Sequence, residues 1–135
     1  MINDVTPPAE QHPAPSQKQV LCIEDEPFIS DLYKRALNKA GFKVDIIAEG
    51  EAGLAAIRSD RYDIVLLDIM IPQMLGVDVL HELKEERGKL KAKIVICTNL
   101  EQDEKTRNAI EAEADGYIIK AEITPRELVE ILKQM

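Results

Sequence analysis

Five short apolar runs constrain this chain more than any other feature. They are Val20-Leu21-Cys22-Ile23, Val44-Asp45-Ile46-Ile47-Ala48, Ile64-Val65-Leu66-Leu67, Ile94-Val95-Ile96-Cys97 and Tyr117-Ile118-Ile119. A strand covered on one face alternates apolar and polar residues, whereas one covered on both faces is apolar throughout. Four of the runs are unbroken, so they read as buried strands of a parallel sheet. The second, interrupted by Asp45, suits a sheet edge.

Between the runs the apolar period changes from continuous to helical. Ile29, Leu32, Tyr33, Ala36, Leu37 and Ala40 fall on one stripe of a helix. Pro27 suits its first turn, Asp25 and Glu26 its positive end, and Gly41 a left-handed stop. Leu54 with Ile57, then Val77, Leu80 and Leu83, then Ala109 with Ile110 mark three more helices, the last of them the most polar. Leu128, Ile131, Leu132 and Met135 mark a fifth, which Thr124 can cap and Pro125 can begin. Five strand-helix units predict an α/β domain, and right-handed crossovers make its five-stranded parallel sheet doubly wound with five helices.

Residues 1–17 stand apart. They hold four of the seven prolines (Pro7, Pro8, Pro13 and Pro15) and almost no apolar residue after Val5. Such a stretch cannot repay its ordering entropy, so a flexible proline-rich tail is expected, with the domain at 18–135. Lys and Arg number 17 against 25 Asp and Glu, a formal charge of -8. That balance argues against direct binding of nucleic acid or an anionic membrane, since both need a basic face. No apolar run reaches the roughly 18 residues of a membrane span, and no signal peptide opens the chain. A cytoplasmic, single-domain protein is expected. Cys22 and Cys97 lie inside apolar runs and read as small buried hydrophobes, while His12 and His81 have no ligand-like spacing.

Ligands in doubly wound folds bind beyond the carboxyl ends of the strands. Glu24, Asp25 and Glu26 follow the first strand, Asp68 the third, Thr98 the fourth and Lys120 the fifth. Carboxylates held a few ångströms apart repel by about 4 kcal/mol per pair at an effective dielectric near 20. A cation relieves that repulsion, and Mg²⁺ is the hard oxygen-seeking ion common where phosphate is handled. Glu24, Asp25 and Asp68 with one Mg²⁺ and Lys120 make a neutral pocket. Phosphoryl transfer needs mainly positioning and charge neutralisation, and Asp68, ending the central strand, is the best-placed nucleophile.

From Gln19 onward the chain resembles the receiver domain of two-component response regulators. The residues that carry the likeness are Glu24-Asp25 in VLCIEDEP, Asp68 in IVLLDIMIP, Thr98 in IVICTN, and Tyr117 with Lys120 in DGYIIK. The resemblance implies strand order 2-1-3-4-5. It implies a phosphoacceptor at Asp68, charged by a sensor histidine kinase or phosphotransfer protein, with autophosphatase activity but no turnover of an external substrate. It assigns Mg²⁺ to Asp25, Asp68 and the Met70 backbone carbonyl, with Glu24 reaching it through water. Thr98 becomes the switch hydroxyl that follows the new phosphoryl group, Lys120 the ion-pair partner of that group, and Tyr117 the aromatic switch. A downstream protein or a second copy would dock on the face of the fourth helix, fifth strand and fifth helix, which carries Lys105, Arg107, Tyr117 and Arg126.

Two departures stand out: Ala121 replaces the family's usual proline after the lysine, predicting a trans peptide, and Leu75-Gly76 replaces the frequent Asp-Gly. Met70 and Leu100 flank the path of an attacking water, so a long-lived aspartyl phosphate is expected. A phosphatase of the haloacid dehalogenase type would want a carboxylate at Met70. A flavin site would not follow its first strand with Glu24-Asp25-Glu26, and no glycine-rich nucleotide loop occurs. The remaining alternative is an unphosphorylated receiver-fold adaptor or dimerisation module. The chain stops at the fifth helix, so a stand-alone regulator, a relay intermediate or an excised domain is expected.

Overall fold

The structure, a computed structural model, describes residues 17–135; apart from Gln17, the expected tail and its His12 lie outside the described residues. Among the described residues five strands and five α-helices alternate: β1 Gln19–Ile23, α1 Pro27–Lys39, β2 Lys43–Ile47, α2 Gly50–Arg58, β3 Ile64–Leu67, α3 Gly76–Glu82, β4 Lys93–Thr98, α4 Glu104–Glu113, β5 Gly116–Ile119 and α5 Pro125–Lys133. The sheet runs β2-β1-β3-β4-β5 with every pairing parallel. The doubly wound architecture and the 2-1-3-4-5 order are therefore as expected.

The pleat divides each run between two cores. Leu21, Ile23, Val65, Leu67, Ile94 and Ile96 face α2, α3 and α4 through Leu54, Ile57, Val79, Leu80 and Ile110. Val20, Cys22, Ile64, Leu66, Val95, Cys97 and Ile118 face α1 and α5 through Tyr33, Leu37, Leu128, Val129 and Leu132. Burial on both faces is why these strands show no alternation. Both cysteines are buried and free, as their apolar setting predicts. No described helix is long and apolar enough to cross a membrane.

Local signals hold at the helix ends. Pro27 opens α1, and Gly41 follows its end at φ 101°, where a side chain would be strained. Thr124 caps α5: its hydroxyl accepts from the Glu127 N–H at 3.1 Å while Glu127 accepts from the Thr124 N–H at 2.8 Å. Stripe details differ from expectation. Ser30 is buried on α1 while Leu32 is exposed, and on α5 Val129 is buried in place of Ile131. Each contact stripe is narrower than the run of apolar residues that marks it. Within α4, Ile110 alone is buried. Thr98 closes β4 instead of following it, and Ala48 lies beyond β2.

Candidate functional site

Parallel strands of matched register deliver their following residues to one edge of the sheet. Ile23 pairs with both Ile47 and Leu67, and Leu67 with Ile96, so Glu24 and Asp68 emerge side by side. Thr98 pairs with Ile119, which sets Lys120 one residue further on. One crevice of about 250 Å³ is lined by Asp25, Glu26, Asp68, Met70, Thr98, Asn99, Leu100 and Lys120. Five of the six residues expected from the strand ends, Asp25, Glu26, Asp68, Thr98 and Lys120, thus share it, and Glu24 lies outside its lining.

Carboxylate oxygens of Glu24, Asp25 and Asp68 lie within 4.8 Å of one another. Glu24 and Asp68 are buried, Asp25 is exposed, and the exposed one gives the cluster its opening to solvent. Such spacing costs about 3–4 kcal/mol per ionised pair without a compensating cation. Part of that compensation is internal. The Lys120 ammonium donates to Asp68 Oδ2 at 2.7 Å and to Glu24 Oε1. Burial works to lower the Lys120 pKa, but these two bonds outweigh it and push the group up to about 12. Burial raises Glu24 above the ordinary carboxylate range, with Lys120 and the Glu26 N–H, at 3.1 Å from Oε2, pulling against it. Glu24 thus touches the lysine directly.

The Asp68 carboxylate is held from both sides. Oδ2 accepts from Lys120, and Oδ1 accepts from the Met70 N–H at 3.1 Å. The backbone beneath it is equally constrained: a Cβ on Gly76 would lie 2.2 Å from the Asp68 carbonyl oxygen, so only glycine fits there. Thr98 is buried, and its hydroxyl accepts from the Leu100 N–H at 3.1 Å. Met70 and Leu100, 54% and 37% exposed, form the apolar part of the rim.

Tyr117 lies outside the crevice lining. Its ring packs against the core beneath α4, the Arg107 guanidinium covers it at 4.5 Å, and its buried hydroxyl has no hydrogen-bond partner among the described residues. The Lys120–Ala121 peptide is trans, as the missing proline predicts, and the Ala121 N–H donates to Asn99 Oδ1 at 2.7 Å. Neither Asn99 nor Gly76 stood out as a site residue in the sequence. Position directly after the fourth strand was the available signal for Asn99.

The family described as "Response regulator receiver domain" matches residues 20–133. The chemotaxis protein CheY of Halobacterium salinarum is 36% identical over 107 residues, 76% of this chain and 84% of that protein. The probable transcriptional regulatory protein TcrX of Mycobacterium tuberculosis is 34% identical over 75% of this chain, which spans 42% of that longer protein. Among solved structures, the response regulator TrrA of Thermotoga maritima, in complex with Mg²⁺-BeF, is 31% identical with a TM-score of 0.74, covering 87% of this chain and 98% of that one.

Proposed function

The chain belongs to the response regulator receiver domain family, and from that premise we propose that Asp68 accepts a phosphoryl group from the phosphohistidine of a sensor kinase or phosphotransfer protein. The observation that carries this reading is the Asp68 carboxylate: buried, fixed by Lys120 and Met70, and open to solvent through one polar crevice. One Asp68 oxygen attacks phosphorus, the phosphorus–nitrogen bond breaks, and its electron pair leaves on the imidazole. The product is an acyl phosphate. Lys120, already charged and in contact, neutralises the incoming phosphoryl oxygens. Thr98 supplies a hydroxyl at the same crevice.

The donor set fits Mg²⁺: three carboxylates within 4.8 Å, one of them exposed, and a net charge of -2 once Lys120 is counted. Asp25 and Asp68 would hold the ion with the Met70 carbonyl, and Glu24 through water. Bound there, Mg²⁺ supplies charge neutralisation at the phosphoryl oxygens. Reorganisation around a phosphorylated Asp68 passes through Thr98 to Tyr117, whose unpartnered hydroxyl is free to take a new acceptor. The face of α4, β5 and α5 then meets a downstream protein or a second copy. The acidic surface, formally -8 overall, keeps nucleic acid off the list of partners proposed for this chain itself. A cytoplasmic setting follows from a cytoplasmic kinase partner. We assign it no turnover of an external substrate beyond loss of its own phosphoryl group.

Incubation with acetyl phosphate and Mg²⁺, followed by intact mass, tests the reading. Wild type is expected to gain one phosphoryl group and Asp68→Ala none. An unmodified wild type, as the adaptor alternative requires, would contradict it, and so would equal gain by both.

A further inference from the structure

The β4–β5 ladder ends at Thr98 and Ile119, the residues just before Asn99 and Lys120. One rung further the ladder is continued by a side chain, Asn99 Oδ1 accepting the Ala121 N–H at 2.7 Å. Ala121 sits in a single 3-10 turn, Lys120–Glu122, which receives no side-chain cap from Ile119 before it. The early N–H groups of such a turn lack internal partners, so the Asn99 amide, just beyond the neighbouring strand, supplies what the local chain does not. On the other side of Asn99, the Leu100 N–H donates to the Thr98 hydroxyl at 3.1 Å. The loop that follows Thr98 and the turn that carries Lys120 are therefore stitched together beside Asp68, and Asn99 and Lys120 line the same crevice.

We propose that Asn99 is a positioning residue: its side-chain carbonyl clasps the Lys120 turn to the Thr98 loop and so keeps the Lys120 ammonium at the acceptor carboxylate. The ion pairs to Glu24 and Asp68 fix the ammonium only while both carboxylates stay in place, and phosphorylation alters one of them. The clasp instead fixes the backbone from which the lysine extends. It depends on residue 121 having an N–H, which Ala121 has and a proline lacks. Thr98-Asn99 paired with Lys120-Ala121 is thus one device, in which an asparagine does work that a rigid ring could not. The functional part of this inference rests on Asp68 being the phosphoacceptor; the hydrogen bond itself does not.

The test is the rate of phosphorylation by acetyl phosphate with Mg²⁺ in a double-substitution cycle. Asn99→Leu and Ala121→Pro, which remove acceptor and donor in turn, are each expected to slow uptake about 3–10-fold, the worth of one hydrogen bond. The double variant should be no slower than the slower single, because both remove the same bond. Ala121→Gly keeps the N–H, and in that background Asn99→Leu should lose its full factor. Losses that multiply, or Asn99→Leu at the wild-type rate, overturn the clasp. Amide exchange at Ala121 gives an independent arm, with protection expected in wild type and lost in Asn99→Leu; equal exchange in the two overturns it. Wild type that takes up no phosphoryl group defeats the phosphoacceptor reading and with it the positioning role, while the exchange arm still decides whether the bond forms.

Discussion

At the scale of single residues, the crevice combines charged groups fixed in place with an apolar rim. Met70, more than half exposed, and Leu100 offer no hydrogen bond to a water approaching Asp68. Met70→Asn would orient such a water, and one added hydrogen bond should speed phosphoryl loss about 5-fold. Following decay of the phosphorylated species by intact mass checks this, and an unchanged or slower rate would sink it. Much of the site was legible because its chemistry sits directly after strands, where the end of an apolar run flags the next residue. Glu24, Asp25, Asp68, Thr98 and Lys120 were all read that way, although Thr98 is the last residue of its strand and not the first beyond it. What stayed hidden depends on reach between elements. Glu24 meets Lys120 across 96 residues of sequence, and Asn99 meets Ala121 across 22. No spacing rule connects residues that distant.

Elements place those residues, and their tight points are specific. Gly76 begins α3 against the backbone of Asp68, its N–H donating to the Ile69 carbonyl at 2.9 Å. Gly76→Ala would drive a methyl into that carbonyl and should cost about 2 kcal/mol or more while displacing the acceptor. Gly88→Ala, with nothing within 4 Å, should change stability by less than about 0.5 kcal/mol. Urea unfolding of both variants decides this, and equal midpoints would refute it. The α4 N-terminus carries a pH dependence of known sign. The Thr106 N–H, bound to Asp103 Oδ1 at 2.7 Å, holds that carboxyl below its ordinary range. A lowered folded-state pKa contributes stability above the ordinary Asp value and loses it as pH falls through the folded one. Exchange at the Thr106 amide should therefore lose protection between about pH 5 and pH 2, relative to Asp103→Asn. Equal profiles for the two proteins would refute it. The three inner strands were readable since burial on both faces leaves an unbroken signal, whereas β5 has an unbroken run at a sheet edge with Ile118 alone buried. Helix stripes were read too broadly, because Leu32 and Ile131 match the helical period yet face solvent.

For the whole molecule, the acidic balance acquires a location. Three of its carboxylates converge at one end of the sheet with a single lysine among them. A ligand that binds the folded state stabilises it by mass action, so Mg²⁺ at ten times its dissociation constant should add about 1.4 kcal/mol. For a domain of this size that raises Tm by about 5 °C. Asp25→Asn should abolish most of the rise, whereas an equal rise in both proteins would place the ion elsewhere.

The central claim is that Asp68 itself carries the phosphoryl group. Borohydride reduction of the phosphorylated protein converts an aspartyl phosphate to homoserine, and peptide sequencing by mass then locates it. The account predicts homoserine at position 68 and at no other aspartate. Homoserine at Asp25, or a phosphoryl group that resists reduction, would contradict it.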